Sequence, residues 1–172
     1  MRHVSRGGPY VRVADPDWQD PLSPERARRH GGRWNAPGSF GVVYLNASVD
    51  LARAQVRHRL QPRGIRPEDL DPDRGPVLVH TRVPEDEYAD AVTSDGLAEL
   101  DLPATYPVDE RGTPVPHATC QRIGQAAWDA GERGIACRSA AGSAPPDAEE
   151  LAFFARRRLR VQHSEPFVDW YW

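Results

Sequence analysis

The chain has 172 residues and a mass of 19.2 kDa, which is enough for one domain with its own hydrophobic core. Hydrophobic residues make up 39% and charged residues 27% of the sequence, as is typical of a globular protein rather than a disordered one. A net charge of −3 and a pI near 6.1 argue against a general binder of nucleic acid or of acidic membranes. Because no long apolar stretch and no apolar signal core occur in the sequence, we expect a single cytoplasmic domain over residues 1–172 without a membrane span.

The cysteines and histidines do not form a metal-binding pattern. Cys120 and Cys137 lie outside any CxxC arrangement, and the six histidines show no spacing typical of zinc ligands. In a chain without a recognisable export signal, two isolated cysteines are most simply free thiols. The sequence therefore predicts neither a disulfide nor a metal site.

The first half of the chain predicts alternating short strands and helices. Apolar alternation indicates strands, whereas N-cap residues, an N1 proline and C-terminal glycines bound the helices. The predicted elements are a strand over Tyr10–Val13, a helix from Ser23–Glu25 to about His30, a strand over Val42–Leu45, and a helix over Val49–Leu60 capped by Ser48.

The second half is richer in proline and less regular. It predicts a loop over 61–76, a strand over Val77–Val83 and a weakly helical acidic segment over 85–100. A surface loop over Pro103–Pro116 follows, and then a helix that is capped by Thr119 and ended by Gly131. The last two predicted elements are strands over Gly134–Cys137 and Arg156–Gln162. Strands and short helices interleave irregularly, which favours an α+β fold over a doubly wound sheet.

The stretch GGRWN, residues 31–35, is the first candidate for a binding site. Glycines allow a backbone to approach a ligand closely, and the guanidinium of Arg33 offers a planar set of donors suited to a phosphate or a carboxylate. Trp34 could fix the loop by burying its ring, provided that its indole N–H finds a partner. The alternative is an ordinary turn in which Arg33 forms a salt bridge with a surface acid. These residues alone leave both interpretations open.

Four more polar residues have a structural as well as a functional interpretation. Tyr44 is typical of a core tyrosine with a hydrogen-bonded hydroxyl, and Ser139 of a turn or cap residue after a strand. Gln55 and His58 share one face of the predicted helix with Leu51, where a partly buried amide and a packed histidine are common. The sequence contains no Ser-His-Asp, P-loop or GxGxxG motif that would decide between these interpretations.

The order of these features resembles the RES-domain family, the toxins of RES–Xre toxin–antitoxin pairs. A Tyr-x-Arg strand is followed by GGRWN, by a Val-Val-Tyr strand eleven residues after Arg33, and by a helix with Ser48 before it. Gln121-x-Ile-Gly124 and a strand ending near Ser139 come much later. The resemblance covers about residues 10–140 and is most specific between Arg33 and Tyr44.

The resemblance implies an ADP-ribosyltransferase-like fold, with a mixed β-sheet core and short flanking helices, that binds NAD in a cleft. NAD would be the substrate, without a metal, and would be hydrolysed, phosphorolysed or used to transfer ADP-ribose. Carried over to this sequence, Arg12 and Arg33 would hold the diphosphate or a ribose, and Tyr44 would stack on the nicotinamide. Ser139 would lie near the nicotinamide ribose, with Ser48 and His58 as further members of the pocket.

The family also implies partners. An Xre-type antitoxin would cover the active site. The chain would form either a hetero-oligomer with this antitoxin or a homo-oligomer. The aromatic tail 170–172 could anchor such a partner, or form a packed terminal strand.

One position departs from the family pattern, because the family glutamate falls on Gln55. A carboxylate near the ribose stabilises the positive charge that develops as the nicotinamide leaves, and an amide lacks that charge, so we expect a rate loss of roughly 10²-fold or more. Gln55 could be a deliberate inactivation, a natural variant with weak or altered chemistry, or the mark of a pseudoenzyme. Glu149 or Glu150 could supply a carboxylate, although spacing singles out neither. The rival function is a non-catalytic module that binds NAD or ADP-ribose.

Overall fold

A mixed β-sheet with short helices around it forms the framework of the protein. The computed structural model describes residues 1–60, 64, 69, 71, 75–142, 144–145 and 147–169. In chain order the elements are β1 (His3–Ala14), α1 (Glu25–His30), β2 (Val42–Asn46), α2 (Val49–Leu60), β3 (Val77–Ala91), α3 (Ser94–Glu99), α4 (His117–Asp129), β4 (Gly134–Arg138), β5 (Glu149–Phe154) and β6 (Val161–Pro166). This arrangement confirms the predicted α+β class.

Five of the strands form a closed ring. The sheet order is β1-β2-β5-β4-β3-β6, and β1 also pairs with β3. The β3–β4 pair is parallel, whereas the other pairs are antiparallel. β6 adds to the first half of β3, outside the ring. Because β1 is joined to both β2 and β3, most strands have two neighbours, which leaves little unpaired sheet edge.

Alternating side chains of the strands divide the core between the inside and the outside of the ring. One apolar cluster takes residues from all five ring strands, including Tyr10, Val43 and Phe153, and therefore fills the interior. A second cluster combines the outward side chains of β2, β4 and β5 with residues of α4 and of the loop before it. A third joins α2 to β1 and β3. The site described below opens beside the second cluster.

Several elements match the sequence-based prediction closely. The α2 bounds are those expected, and the Oγ of Ser48 accepts a hydrogen bond from the N–H of Leu51 at 3.1 Å. α1, β2 and β4 also lie where the pattern placed them. The predicted loop over 61–76 falls largely outside the described residues, as does the aromatic tail. No helix in the described part of the chain is long and apolar enough to cross a membrane.

Other predictions were wrong because tertiary pairing overrides local composition. Residues 85–91, predicted as weakly helical, continue β3, because this acidic segment pairs with the start of β1 and with β4. Strand β5 was not predicted at all, and the last strand lies at 161–166 rather than 156–162. Thr119 lies inside α4, whose N-cap is Pro116.

Candidate functional site

A cleft of about 390 Å³ lies between the loop after α1, the second half of α2 and the ends of β1, β2 and β5. It falls within the usual size range of small-molecule sites. Its lining includes most of the residues singled out in the sequence: Arg12, Arg33, Tyr44, Gln55 and His58. The remaining lining is Val13, Trp18, Arg26, Ala27, Gly31, Gly32, Asn46, Val56, Arg59, His117, Ala140, Ala141 and Glu150.

Buried side chains on both sides of Arg33 hold the GGRWN loop in place. α1 ends at Gly31, whose φ of 74° favours glycine. The Trp34 ring is fully buried, and its indole N–H contacts the Sγ of Cys137 at 3.2 Å. The Asn35 amide donates to the carbonyl of Ala27 at 2.8 Å. The loop is thus tied to α1 and to β4, so the backbone that carries Arg33 has little freedom.

Helix α4 packs directly on the backbone of this loop. The side-chain amide of Gln121 donates to the carbonyl of Gly32 at 2.9 Å. One turn later, a Cβ added at Gly124 would lie 1.7 Å from the carbonyl oxygen of Trp34, so no side chain fits there. The spacing Gln121-x-Ile-Gly124 is therefore explained by close packing of α4 against GGRWN.

The Arg33 guanidinium has weak partners within the protein. Its Nη1 lies 3.3 Å from the carbonyl oxygen of Val115 and 3.8 Å from the Sγ of Cys120. In the part of the chain that the structure describes, no carboxylate lies within salt-bridge distance of it. Among the described residues, Arg33 therefore does not form the surface salt bridge that was the alternative interpretation of its position. A guanidinium with five N–H donors and few acceptors is suited to an anionic ligand.

Arg12 is a second arginine that faces the cleft without a salt bridge to any described residue. It is buried, its Nη1 donates to the carbonyl of Ser23 at 3.2 Å, and its guanidinium lies over the Trp18 ring, 5.4 Å from the centroid. Burial lowers the pKa of Arg12 to about 10, so it remains positively charged at neutral pH. Because this charge is desolvated, an anion in the cleft would interact with it strongly.

Tyr44 is both a tyrosine with a hydrogen-bonded hydroxyl and a residue that lines the cleft. Its hydroxyl donates to the Oδ1 of Asn35 and accepts from the N–H of Trp34, each at 2.9 Å, while its ring lines the cleft. A Cβ at Gly32 would lie 2.4 Å from the Tyr44 oxygen, so the second glycine of the motif makes room for this ring. Burial raises the pKa of Tyr44, and the phenol stays neutral.

Gln55 meets a carboxylate from another part of the chain. Its Nε2 lies 2.5 Å from the Oε1 of Glu150 and 3.3 Å from the Oγ of Ser139. Ser139, which follows β4, is buried and does not itself line the cleft. Its hydroxyl and the N–H of Ala140 also hydrogen-bond Glu150. Residues from α2, from the end of β4 and from β5 thus converge on one carboxylate.

The two consecutive glutamates at the start of β5 face opposite sides of the sheet, as alternation requires. Glu149 is paired with Arg6, whose Nε lies 2.5 Å from its Oε1. Glu150 is in register with Asn46 of β2 and Cys137 of β4 and lines the cleft. Burial raises the pKa of Glu150, whereas its hydrogen bond from Ser139 and the charge of Arg33 act in the opposite direction.

Sequence reasoning named Glu150 only as one of two possible carboxylates, beside Glu149, because β5 was not recognised as a strand. An apolar run, Leu151–Phe154, directly after two acids was the available signal, since it indicates a buried strand entered from a polar end. Once that strand is paired with β2 and β4, one of the two acids must point to the cleft side.

His58 and Ser48 are placed differently from each other. His58 is exposed and lines the cleft. Ser48 is exposed, caps α2 and is not part of the lining. Its position before the helix explains the residue type without a role in the pocket, and we do not assign it to the site.

Three potential metal ligands do meet elsewhere, on β3 and β6. Ligand atoms of His80, His163 and Glu165 lie within 4.8 Å of one another, and the two imidazole rings stack with centroids 4.0 Å apart. The pairing of two strands brings them together, which spacing along the chain cannot show. None of the three lines the cleft.

The comparison with known families identifies this architecture. The family model of the RES domain matches residues 9–172. The chain belongs to the RES domain family. Within it, the chain is 30% identical over 127 residues to proteins named NAD(+) phosphorylase MbcT from Mycobacterium bovis and from Mycobacterium tuberculosis. The match covers 72% of this chain and 63% of those relatives, so the aligned RES region spans less than two thirds of their length.

A solved structure of a RES protein has the same fold. The crystal structure of the Mycobacterium tuberculosis MbcT–MbcA toxin–antitoxin complex matches with a TM-score of 0.75 at 24% identity, over 95% of this chain and 85% of that one. The predicted family and the mixed-sheet fold are thereby confirmed.

Proposed function

We propose that this RES protein consumes NAD by cleaving the bond between nicotinamide and ribose. The observation that carries the proposal is the pair of cleft arginines, Arg12 and Arg33, neither of which has a carboxylate partner among the described residues. Membership of the RES family and the name of the mycobacterial relatives, NAD(+) phosphorylase, support NAD as the ligand. They favour an enzyme over a non-catalytic binding module.

The charge pattern of the cleft complements that of NAD. Four arginines line it, and Glu150 is the one carboxylate among its described lining residues. NAD carries a negatively charged diphosphate in its middle and a positive charge on the nicotinamide ring. Placing the diphosphate against the arginines puts the cationic ring within reach of the acidic end of the cleft.

The predicted residues that line or border the cleft then have roles that follow from their positions. Arg12 and Arg33 bind the diphosphate or an adjoining ribose hydroxyl. Tyr44, with its hydroxyl held by the loop, offers the face of its ring to the nicotinamide. Ser139 lies beneath the carboxylate end, where it orients the polar side chains near the nicotinamide ribose. His58 lies at the rim.

The reaction is a substitution at C1′ of the nicotinamide ribose. The C1′–N bond breaks with its electron pair going to the ring nitrogen, which converts the pyridinium into neutral nicotinamide. The ribose carbon passes through a positively charged, oxocarbenium-like state. An oxygen of the acceptor then forms the new bond to C1′. Because the relatives are named as phosphorylases, we propose inorganic phosphate as the acceptor, with no metal required.

We also propose a toxin role for this chain. The matched crystal structure is titled as a toxin–antitoxin complex, and the proposed partner is an antitoxin of the Xre type that covers the cleft in a cytoplasmic hetero-oligomer. Co-expression with a small helix-turn-helix gene found next to this one in the genome tests the proposal: its product should restore growth and co-purify with this chain.

The test of the enzymatic proposal is product analysis. Purified protein is incubated with NAD, with and without phosphate, and nicotinamide and the phosphorylated ADP-ribose product are separated by chromatography and identified by mass. We expect nicotinamide release that depends on phosphate. Release without phosphate would indicate hydrolysis. NAD binding without release would support the binding module instead, and no NAD binding would contradict the assignment of the cleft.

A further inference from the structure

We propose that Glu150 is the catalytic carboxylate of this enzyme and takes over the role that an acid at position 55 would have. This inference rests on the proposed NAD-cleaving function. It explains how a chain with glutamine on α2 can keep the negative charge that the reaction needs, and it chooses Glu150 from the two acids, Glu149 and Glu150, that the sequence offered as a source of this charge.

The first argument is position. Only 2.5 Å separates the Nε2 of Gln55 from the Oε1 of Glu150, so the two side-chain ends occupy one corner of the cleft. Moving the negative charge from α2 to β5 displaces it by about one hydrogen-bond length. A ribose that could be served by a carboxylate on α2 is therefore within reach of one on β5.

The second argument is preorganisation. The Glu150 carboxylate accepts hydrogen bonds from Gln55, from the hydroxyl of Ser139 and from the backbone N–H of Ala140. Its backbone lies in a strand that is paired on both sides, with β2 and β4. A charge held in a fixed direction needs little reorganisation when positive charge develops next to it, and this is the main source of electrostatic catalysis. Gln55 and Ser139 are positioning residues in this scheme.

The third argument is that the carboxylate of Glu150 lies in a buried position, where its negative charge is unfavourable. Burial raises the pKa of Glu150, against the influence of Ser139 and Arg33. Placing an acid there costs folding free energy that an amide would not cost, so the position is unfavourable for stability but suited to stabilising a cation. The pyridinium of NAD would favour the ionised form on binding.

In the reaction, the Glu150 carboxylate faces the ribose ring as the C1′–N bond breaks. It forms no covalent bond: the electron pair leaves with nicotinamide, and the acceptor oxygen bonds to C1′. Its contribution is larger in the transition state than in the bound substrate, because the positive charge moves from the aromatic ring to the ribose. Its loss should therefore lower kcat more than it weakens NAD binding.

The experiment compares Glu150→Gln with Glu149→Gln, the adjacent acid on the other side of the sheet. Nicotinamide release, NAD affinity by calorimetry and melting temperature are measured for both and for the unaltered chain. Glu150→Gln should lower kcat roughly 10²-fold or more, with NAD affinity changed by less than about tenfold. Glu149→Gln should leave kcat within about twofold, since that side chain pairs with Arg6.

Two further measurements keep the test decisive if Glu150→Gln folds poorly. The double variant Gln55→Glu/Glu150→Gln returns the charge to α2 and should recover at least about tenfold of the lost kcat. Gln55→Glu alone places two carboxylates in contact, so they share a proton and the acid limb of kcat should move to higher pH.

The outcomes separate the two proposals. If the unaltered chain releases no nicotinamide, the proposed function and the Glu150 role both fail. If the unaltered chain is active and Glu150→Gln is equally active, the cleft still cleaves NAD but Glu150 is not its catalytic carboxylate. If the acid limb of the kcat–pH profile is unchanged in Gln55→Glu, the side chains at positions 55 and 150 do not share one corner of the cleft, and the proposal fails.

Discussion

The two walls of the cleft are built in opposite ways. The wall that carries Arg33 is one contiguous stretch, GGRWN, locked by its own tryptophan and asparagine and by helix α4. The wall that carries Glu150 is assembled from α2, the end of β4 and the start of β5. A contiguous motif can be recognised in the sequence, whereas an assembled one appears only when the strands are paired. The interpretation of Gln55 as a missing charge arose from this difference.

The largest effect is expected from disrupting the packing of the contiguous wall against α4. Gly124→Ala would place a methyl group against the Trp34 carbonyl, at 1.7 Å without relaxation, so α4 must move away from the loop. We expect a loss of about 3 kcal/mol in the free energy of unfolding, measured by denaturant titration. Gly142→Ala is the control, because no atom lies within 4 Å of its added Cβ. Equal stability of the two variants would contradict the packing described here.

The second test removes the guanidinium of Arg33, the group that we propose to bind NAD, and leaves the packing of that wall intact. Arg33→Ala should weaken NAD binding roughly 10- to 100-fold, the contribution of hydrogen bonds to a charged group, and leave the melting temperature nearly unchanged. Calorimetry and thermal unfolding measure the two effects. Arg33→Lys, which keeps the charge but loses the planar donor set, should fall in between. A large loss of stability with normal binding would assign Arg33 a structural role.

A third, smaller effect concerns the start of α2, next to the assembled wall. Ser48→Ala removes the hydroxyl that accepts the Leu51 N–H, and we expect about 1 kcal/mol of lost stability. The rate of nicotinamide release should stay the same, because Ser48 does not line the cleft. Ser48→Asp, which can also cap the helix, should restore stability. A kinetic defect in Ser48→Ala with normal stability would return this residue to the site.

The smallest effect is the pH dependence of stability at the assembled wall. Because burial raises the pKa of Glu150 in the folded state, the folded protein binds more protons than the unfolded chain between the ordinary and the raised values. The free energy of unfolding should therefore fall as pH rises through that window. Urea titrations across pH should show this component in the unaltered chain and not in Glu150→Gln. A free energy of unfolding with the same pH dependence in Glu150→Gln as in the unaltered chain would contradict this assignment.

The features that could be predicted from the sequence are those encoded by contiguous residues, as in the GGRWN wall of the cleft. Local signals located α1, β2, α2 and β4, because caps, glycine stops and short apolar runs act within a few positions. Five of the seven site residues predicted from these patterns and from the family resemblance line the cleft. The continuation of β3 through an acidic segment and the whole of β5 depend on pairing with distant strands, which no local pattern encodes. For that reason the sequence could not single out Glu150 from Glu149, and it did not show the meeting of His80 with His163.

Because side chains alternate along β5, the register of this strand decides whether Glu149 or Glu150 faces the cleft. If β5 slipped by one residue against β2 and β4, Glu149 would enter the cleft and Glu150 would turn toward the interior of the ring. The ladder that fixes Glu150 opposite Asn46 and Cys137 therefore selects which of two chemically identical neighbours faces the cleft. A one-residue slip of β5 would remove the Glu150 carboxylate from the cleft while the amino-acid sequence stayed the same.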